Sequence, residues 1–198
     1  MNGPARPALR VAAAAVAVAL VLLSASAASA ARLSVADARG DMIKVEEGGS
    51  NPRPAPGATI GDAVRTTVRH TDRRVVVRVR FADLAPTGKR LNLWVDLRDE
   101  SGHTTTLGVE ATRADRDGHP ILMTSRGRDI ACTVVHRIGY RRDVIRASVP
   151  RRCLGNPESV RFRVYTEHVR RSWAYAYLDN ALSRNFDDRS WSDPVRRG

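Results

Sequence analysis

Between Ala31 and Val169 apolar and polar positions alternate with a period of two, in short runs separated by clusters of Gly, Pro and Asp. That is the pattern of strands with one packed face and one wet face. Val75, Val77, Val79 and Phe81 make one wholly apolar face, opposite Arg74, Val76, Arg78 and Arg80. Leu91, Leu93, Val95 and Leu97 repeat it against Arg90, Asn92, Asp96 and Arg98. Val64, Thr66 and Val68 oppose Arg65, Thr67 and Arg69, and Val160, Phe162 and Val164 oppose Arg161, Arg163 and Tyr165. Fainter alternation predicts strands over 42–46, 104–111, 121–125, 130–135 and 143–149, and Trp173, Tyr175 and Tyr177 alternate with Ala174, Ala176 and Leu178. No apolar stripe keeps helical spacing over three turns between residues 31 and 169.

Nine or ten short strands, each apolar on one side, predict an all-β fold: a single antiparallel two-sheet sandwich of jelly-roll type. Each sheet hides its apolar face against the other and turns arginines to water. His70-Thr71-Asp72-Arg73 supplies a tight hairpin, and 85–88 and 99–102 supply turn chemistry on either side of the Leu91 run. Residues 48–59 are too rich in Gly and Pro to join a sheet and read as a surface loop. The domain is expected to run from 31 to 180. A polar tail over 181–198, with scattered Phe186 and Trp191, is expected to dock loosely or fray.

The beginning of the chain has a different pattern. Arg6 and Arg10 precede an unbroken apolar run from Val11 to Leu23, and Ala28-Ser29-Ala30 closes a stretch of only Ser and Ala. Basic, apolar and small-residue regions in that order read as a secretory signal peptide over 1–30. The apolar run is too short to span a bilayer as a helix, so no membrane span is expected after cleavage, and the chain is expected to be secreted and extracellular. Loss of the leader leaves 31 basic against 21 acidic residues, a net charge of +10. All but Lys44 and Lys89 of the basic residues are arginine. With abundant Ala, Val, Gly and Asp, that skew reads as GC-rich codon usage. The charge itself draws the protein to anionic surfaces, through a field that salt screens.

Cys132 and Cys153 are the only cysteines. In an exported chain two thiols read as one disulfide, with two free buried thiols or a two-cysteine metal site as alternatives. A strand carrying Cys132 that turns near Gly139 and returns over 143–149 brings Cys153 back beside its start. The run Cys132…Ile138-Gly139-Tyr140…Val149-Pro150-Arg151-Arg152-Cys153-Leu154-Gly155-Asn156-Pro157 resembles a stretch of small exported proteins of high-GC Gram-positive bacteria. So do Asp37, Gly40-Asp41, Gly61-Asp62 and Phe81-Ala82-Asp83-Leu84. The likeness covers most of residues 35 to 165. It implies a β-sandwich and the disulfide, and it implies no activity.

The sequence offers four candidate chemistries. The five histidines are scattered, with His70 and His168 at strand ends, where solvated turn roles are expected. Asp37, Asp41 and Asp62 lie near strand ends that can converge, and their oxygens suit calcium, with turn and capping roles as the alternative. Asp115-Arg116-Asp117-Gly118 copies part of a calcium loop but lacks its later acids, and reads as a hairpin turn. Trp94, Trp173, Tyr175 and Tyr177 are candidate carbohydrate-stacking platforms. For the last three, register decides between core and solvent, with core favoured because burying large rings stabilises more than burying alanines. Finally, a hairpin centred on Thr71-Asp72 lays Arg65 and Arg69 beside Arg74, Arg78 and Arg80 on one outer surface. Guanidinium forks there suit phosphate or carboxylate, unless the face is simply a solvated exterior. Arg141, Arg142 and Arg146 are expected elsewhere.

No nucleophile elbow, zincin motif or phosphate-cradling glycine loop is present. On the strands of that arginine face no aromatic residues interleave with the arginines, as would be expected for specific nucleic-acid binding. The sequence therefore predicts a non-catalytic exported module that binds anionic or carbohydrate polymers of the cell envelope. The alternatives are a protein-interaction or inhibitor module meeting another secreted protein, and a hydrolase with an unrecognised site. No cofactor other than calcium is expected.

Overall fold

The computed structural model describes residues 31–46, 51–170 and 174–198; the leader and Trp173 lie outside the described residues. Among the described residues thirteen strands, against the nine or ten expected, form two antiparallel sheets that face each other without closing into a barrel. The five-stranded sheet contains β1 (Ala31–Ala36), β4 (Ala63–His70), β5 (Arg74–Phe81), β9 (Val135–Gly139) and β10 (Val144–Pro150), in the order β1-β4-β5-β10-β9. The eight-stranded sheet contains β2 (Ile43–Glu46), β3 (Arg53–Pro54), β6 (Arg90–Asp99), β7 (Thr104–Thr112), β8 (His119–Thr124), β11 (Ser159–Val169) and β12 (Tyr175–Asn180), in the order β3-β2-β12-β11-β6-β7-β8. A two-residue β13 (Val195–Arg196) pairs with the start of β11. The chain crosses between the sheets five times, so neither sheet is built from one continuous stretch of sequence.

The alternation that predicts the strands also fills the core. Val75, Val77, Val79 and Phe81 from β5 meet Leu91, Leu93, Val95 and Leu97 from β6 and Val160, Phe162 and Val164 from β11, all essentially inaccessible to water. Burying a side chain of this size stabilises by roughly 1.5–3 kcal/mol relative to leaving it wet. The ten-pair ladder between β6 and β11 forms the middle of the larger sheet.

Four features depart from the sequence pattern. The β4–β5 hairpin turns on Asp72-Arg73, since the Thr71 amide donates to the Arg74 carbonyl and His70 pairs with Val75. Its centre thus lies one residue beyond the expected one. The pairing moves by two positions, which leaves every side chain on its expected face. Residues 130–134 are not a strand: Ile130, Cys132 and Val134 pack on the core, while the chain around Asp129 folds back on β8. The strand of that hairpin begins only at Val135. Arg53 and Pro54, inside the expected surface loop, pair with β2 as an edge strand. The tail is anchored, with Val195 and Ser192 buried and the Gly198 amide donating to the His70 carbonyl. Among the described residues no helix is long and apolar enough to cross a membrane.

Candidate functional site

Partners in an antiparallel ladder point to the same side, so the register fixes the outer face of the five-stranded sheet. Arg32 stands beside Arg69, and Arg69 beside Val76. In the next row Ser34, Thr67, Arg78, Arg146 and Arg137 run across all five strands, and in the one after Arg65 and Arg80 lie side by side. None of the strand residues on this face is Asp or Glu. Arg32, Arg69, Arg78, Arg137, Arg142 and Arg146 line a shallow groove of about 470 Å³, floored by Thr67, Val76, Gly139 and Val144. None of these six arginines forms a salt bridge with a carboxylate among the described residues; the ion pairs involve other side chains. Six guanidinium groups over a sheet surface, without carboxylates to neutralise them, set up a concentrated positive potential.

Of the predicted set, Arg69 and Arg78 line the groove, and Arg65 and Arg80 flank it on the same face. Arg74 shares that face but is tied down: its Nε donates to Ser148 Oγ at 2.5 Å and its Nη2 to the Ser148 carbonyl at 2.8 Å. Arg142 and Arg146, expected elsewhere, line the same groove. The reason is strand order: β10 slots between β5 and β9, which no local pattern announces.

The aromatic candidates do not assemble into one open platform. Tyr177 pairs with His168, so Tyr175 and Tyr177 point to the inner side, yet they lie near the edge of the sandwich and are half-buried. They contact each other edge-on at 5.6 Å, and Lys44 sits over the Tyr175 ring. Tyr177 and His168 line a hollow of about 420 Å³ with the 55–60 loop. Trp94 points outward, half-buried, with its ring lying over Gly108, where any β-carbon would collide with it. Nearby, Phe186 and Trp191 of the tail pack against Tyr165 and Arg163 on the same outer surface.

Of the acidic candidates, Asp37 and Asp41 converge with a fourth acid, Asp179, while Asp62 lies beside them and outside that group. Asp37 follows β1, Asp41 precedes β2, Asp62 precedes β4 and Asp179 is on β12. One carboxylate oxygen from each of Asp37, Asp41 and Asp179 lies within 4.8 Å of the others. Backbone amides hold the carboxylates in place: Ala63 donates to Asp179 at 2.8 Å, Gly40 to Asp62 at 2.9 Å and Ala38 to Asp37 at 3.0 Å. Gly40 has φ +75°, and a β-carbon there would press on the Pro56 carbonyl, so this turn requires glycine. Burial, then the neighbouring Asp41 charge, pushes the Asp37 carboxyl up to about 7. Burial raises Asp179 to about 8 and lifts Asp41 and Asp62 as well. Asp179 escaped the sequence reading because its neighbour Ala63 is 116 positions away.

Cys132 and Cys153 form the expected disulfide, with Cα atoms 6.2 Å apart at the two feet of the β9–β10 hairpin. In the 115–118 turn Asp115 accepts from the Gly118 amide, as in an ordinary hairpin. His70 and His168 are buried, against expectation, because both lie on inward positions that distant parts of the chain cover: the tail over His70, Gly88 over His168. Asp99, Ser101 and His103 share hydrogen bonds in the turn after β6. That turn is exposed, and the cavity adjoining it measures about 10 Å³. Comparison with known families, curated proteins and solved structures finds no match to this chain.

Proposed function

We propose that the mature chain is an exported, non-catalytic β-sandwich module that holds a phosphate-bearing anionic polymer of the cell envelope in its arginine groove. The observation that carries this reading is the set of six arginines from β1, β4, β5, β9, β10 and the turn after β9, none of them salt-bridged to a carboxylate among the described residues. Guanidinium forks bind phosphate bidentately, and a groove about as wide as the sheet suits an extended chain better than a small ligand. An anionic polymer is favoured over a neutral sugar because the aromatic candidates are half-buried and packed against the protein's own side chains.

Retention on purified cell walls tests this. Binding should weaken steeply with salt, since released counterions supply much of the affinity. Replacing Arg69, Arg78 and Arg146 with Ser should weaken retention far more than replacing Arg113, Arg126 and Arg128, which are exposed at the ends of β7 and β8. Both triples remove the same charge. Equal losses would leave only net charge at work. A second reading has one observation in its favour: β9 is an edge strand carrying Val135, 59% exposed. Failure to bind any wall polymer would turn attention to a secreted protein docking along that edge.

A further inference from the structure

The acidic cluster contains more negative charge than its hydrogen bonds satisfy. Both oxygens of Asp41, Oδ2 of Asp37 and Oδ1 of Asp62 are shielded from water and accept no hydrogen bond among the described residues. Asp62 is the decisive case, because the whole residue is 1% exposed. Its Oδ2 accepts from the amide of Gly40, in the turn between Asp37 and Asp41, and its charge bears on Asp37 and Asp179, so it lies beside the cluster with its other oxygen unpartnered. A buried carboxylate oxygen without a donor is strongly unfavourable unless it is protonated or meets a cation. Burial chiefly, and for Asp37, Asp62 and Asp179 the neighbouring carboxylates, push all four groups toward the first outcome, against the opposing charges of Arg184 near Asp37 and Asp41 and of Arg39 near Asp62.

We propose that Asp37, Asp41 and Asp179, with Asp62 beside them, form a calcium site that ties the two sheets together at one end of the sandwich. The donor set is all oxygen and carries no His or Cys, which selects a hard cation over zinc. Three monodentate carboxylates leave room for carbonyl, water or further carboxylate ligands, as the six to eight coordination of calcium requires. Magnesium, which demands a smaller octahedral shell, fits this set of widely sourced carboxylates less well. The placement gives the ion a structural task. Asp37 and Asp62 belong to the edges of β1 and β4 in one sheet, while Asp41 and Asp179 border β2 and β12 in the other. This site is independent of the arginine groove and does not rest on the function proposed for it.

The test uses the mature protein stripped with EDTA, titrated with calcium chloride by calorimetry and melted with and without 1 mM calcium. One calcium per chain should bind, and the melting temperature should rise by several degrees. Asp41→Asn should weaken binding at least tenfold. In EDTA this variant should melt no lower than the wild type, because it removes a charge from a repelling cluster and breaks no hydrogen bond. A control, Asp72→Asn, should bind calcium like the wild type. The proposal is overturned if the wild type shows no calcium-dependent melting shift, or if Asp41→Asn binds as tightly as the wild type. Binding of magnesium at equal or higher affinity would overturn the assignment to calcium.

Discussion

Replacing Cys132 and Cys153 together by Ser opens a covalent loop spanning 21 positions, from the foot of β9 to the short helical turn after β10. In the loop-entropy description, closing a loop of that length stabilises the fold by roughly 3 kcal/mol, chiefly by restricting the unfolded chain. The native state loses little in return. The β9–β10 ladder keeps its five register pairs and β10 keeps seven with β5, so the hairpin itself should survive. For a chain of this size each kcal/mol shifts the midpoint by roughly 2–4 °C, which predicts a melting temperature lower by about 6–12 °C. Thermal melts of the double variant and of the oxidised protein measure this directly, with reduced wild-type protein as the check that the thiols themselves are not responsible. Hydrogen exchange should show the loss first in β9, the edge strand, while β5 and β6 keep their protection. A midpoint unchanged within a degree would refute the loop argument. Collapse of the whole fold would show that the bridge supports packing well beyond loop closure.

Two further outcomes follow from buried groups. His70 is fully buried, its Nδ1 donates to the Val195 carbonyl at 3.1 Å, and burial holds its pKa below the ordinary 6.5. The unfolded chain then takes up a proton that the folded chain refuses. The contribution of His70 is therefore complete above about pH 6.5 and is lost as pH falls below it, by at most about 1.4 kcal/mol per pH unit. Denaturant midpoints of wild type and His70→Gln from pH 7.5 to 5 should converge on acidification, and parallel curves would sink the argument. Gly108→Ala drives a β-carbon into the Trp94 ring, so it should cost about 1–3 kcal/mol and shift the tryptophan emission. An unchanged spectrum would mean that the ring is not seated on the glycine.

The parts of this fold that were legible in the sequence are those where one strand decides its own fate. Val75 to Phe81 and Leu91 to Leu97 alternate cleanly because one face is buried along its full length, and both sit in the middle of their sheets. Ile130, Cys132 and Val134 alternate equally well, but they pack on the core from an irregular segment, since burial fixes side-chain direction without requiring a ladder. β13 has two residues in a polar tail, too few to carry a period. The candidate sites divide in the same way. Arg65, Arg69, Arg78 and Arg80 share a face by the parity of one hairpin, which local sequence sets. Arg32, Arg137, Arg142 and Arg146 join them only through strand order. Asp37, Asp41 and Asp62 were visible as acids at turns, whereas Asp179 required the pairing of β12 with β11 and β2.

The groove is tested most directly by following arginine side-chain Nε–Hε signals by NMR while a soluble glycerol-phosphate oligomer is added at low salt. Arg32, Arg69, Arg78, Arg137 and Arg146 should move together along one saturating curve, while Arg113, Arg126 and Arg128 stay fixed. Raising the salt should weaken the binding with a slope of roughly one per phosphate held, and the triple Arg69, Arg78 and Arg146 to Ser should reduce that slope. Uniform drift of all arginine signals without saturation would contradict a site on this face, as would shifts centred on Trp94 or Tyr177.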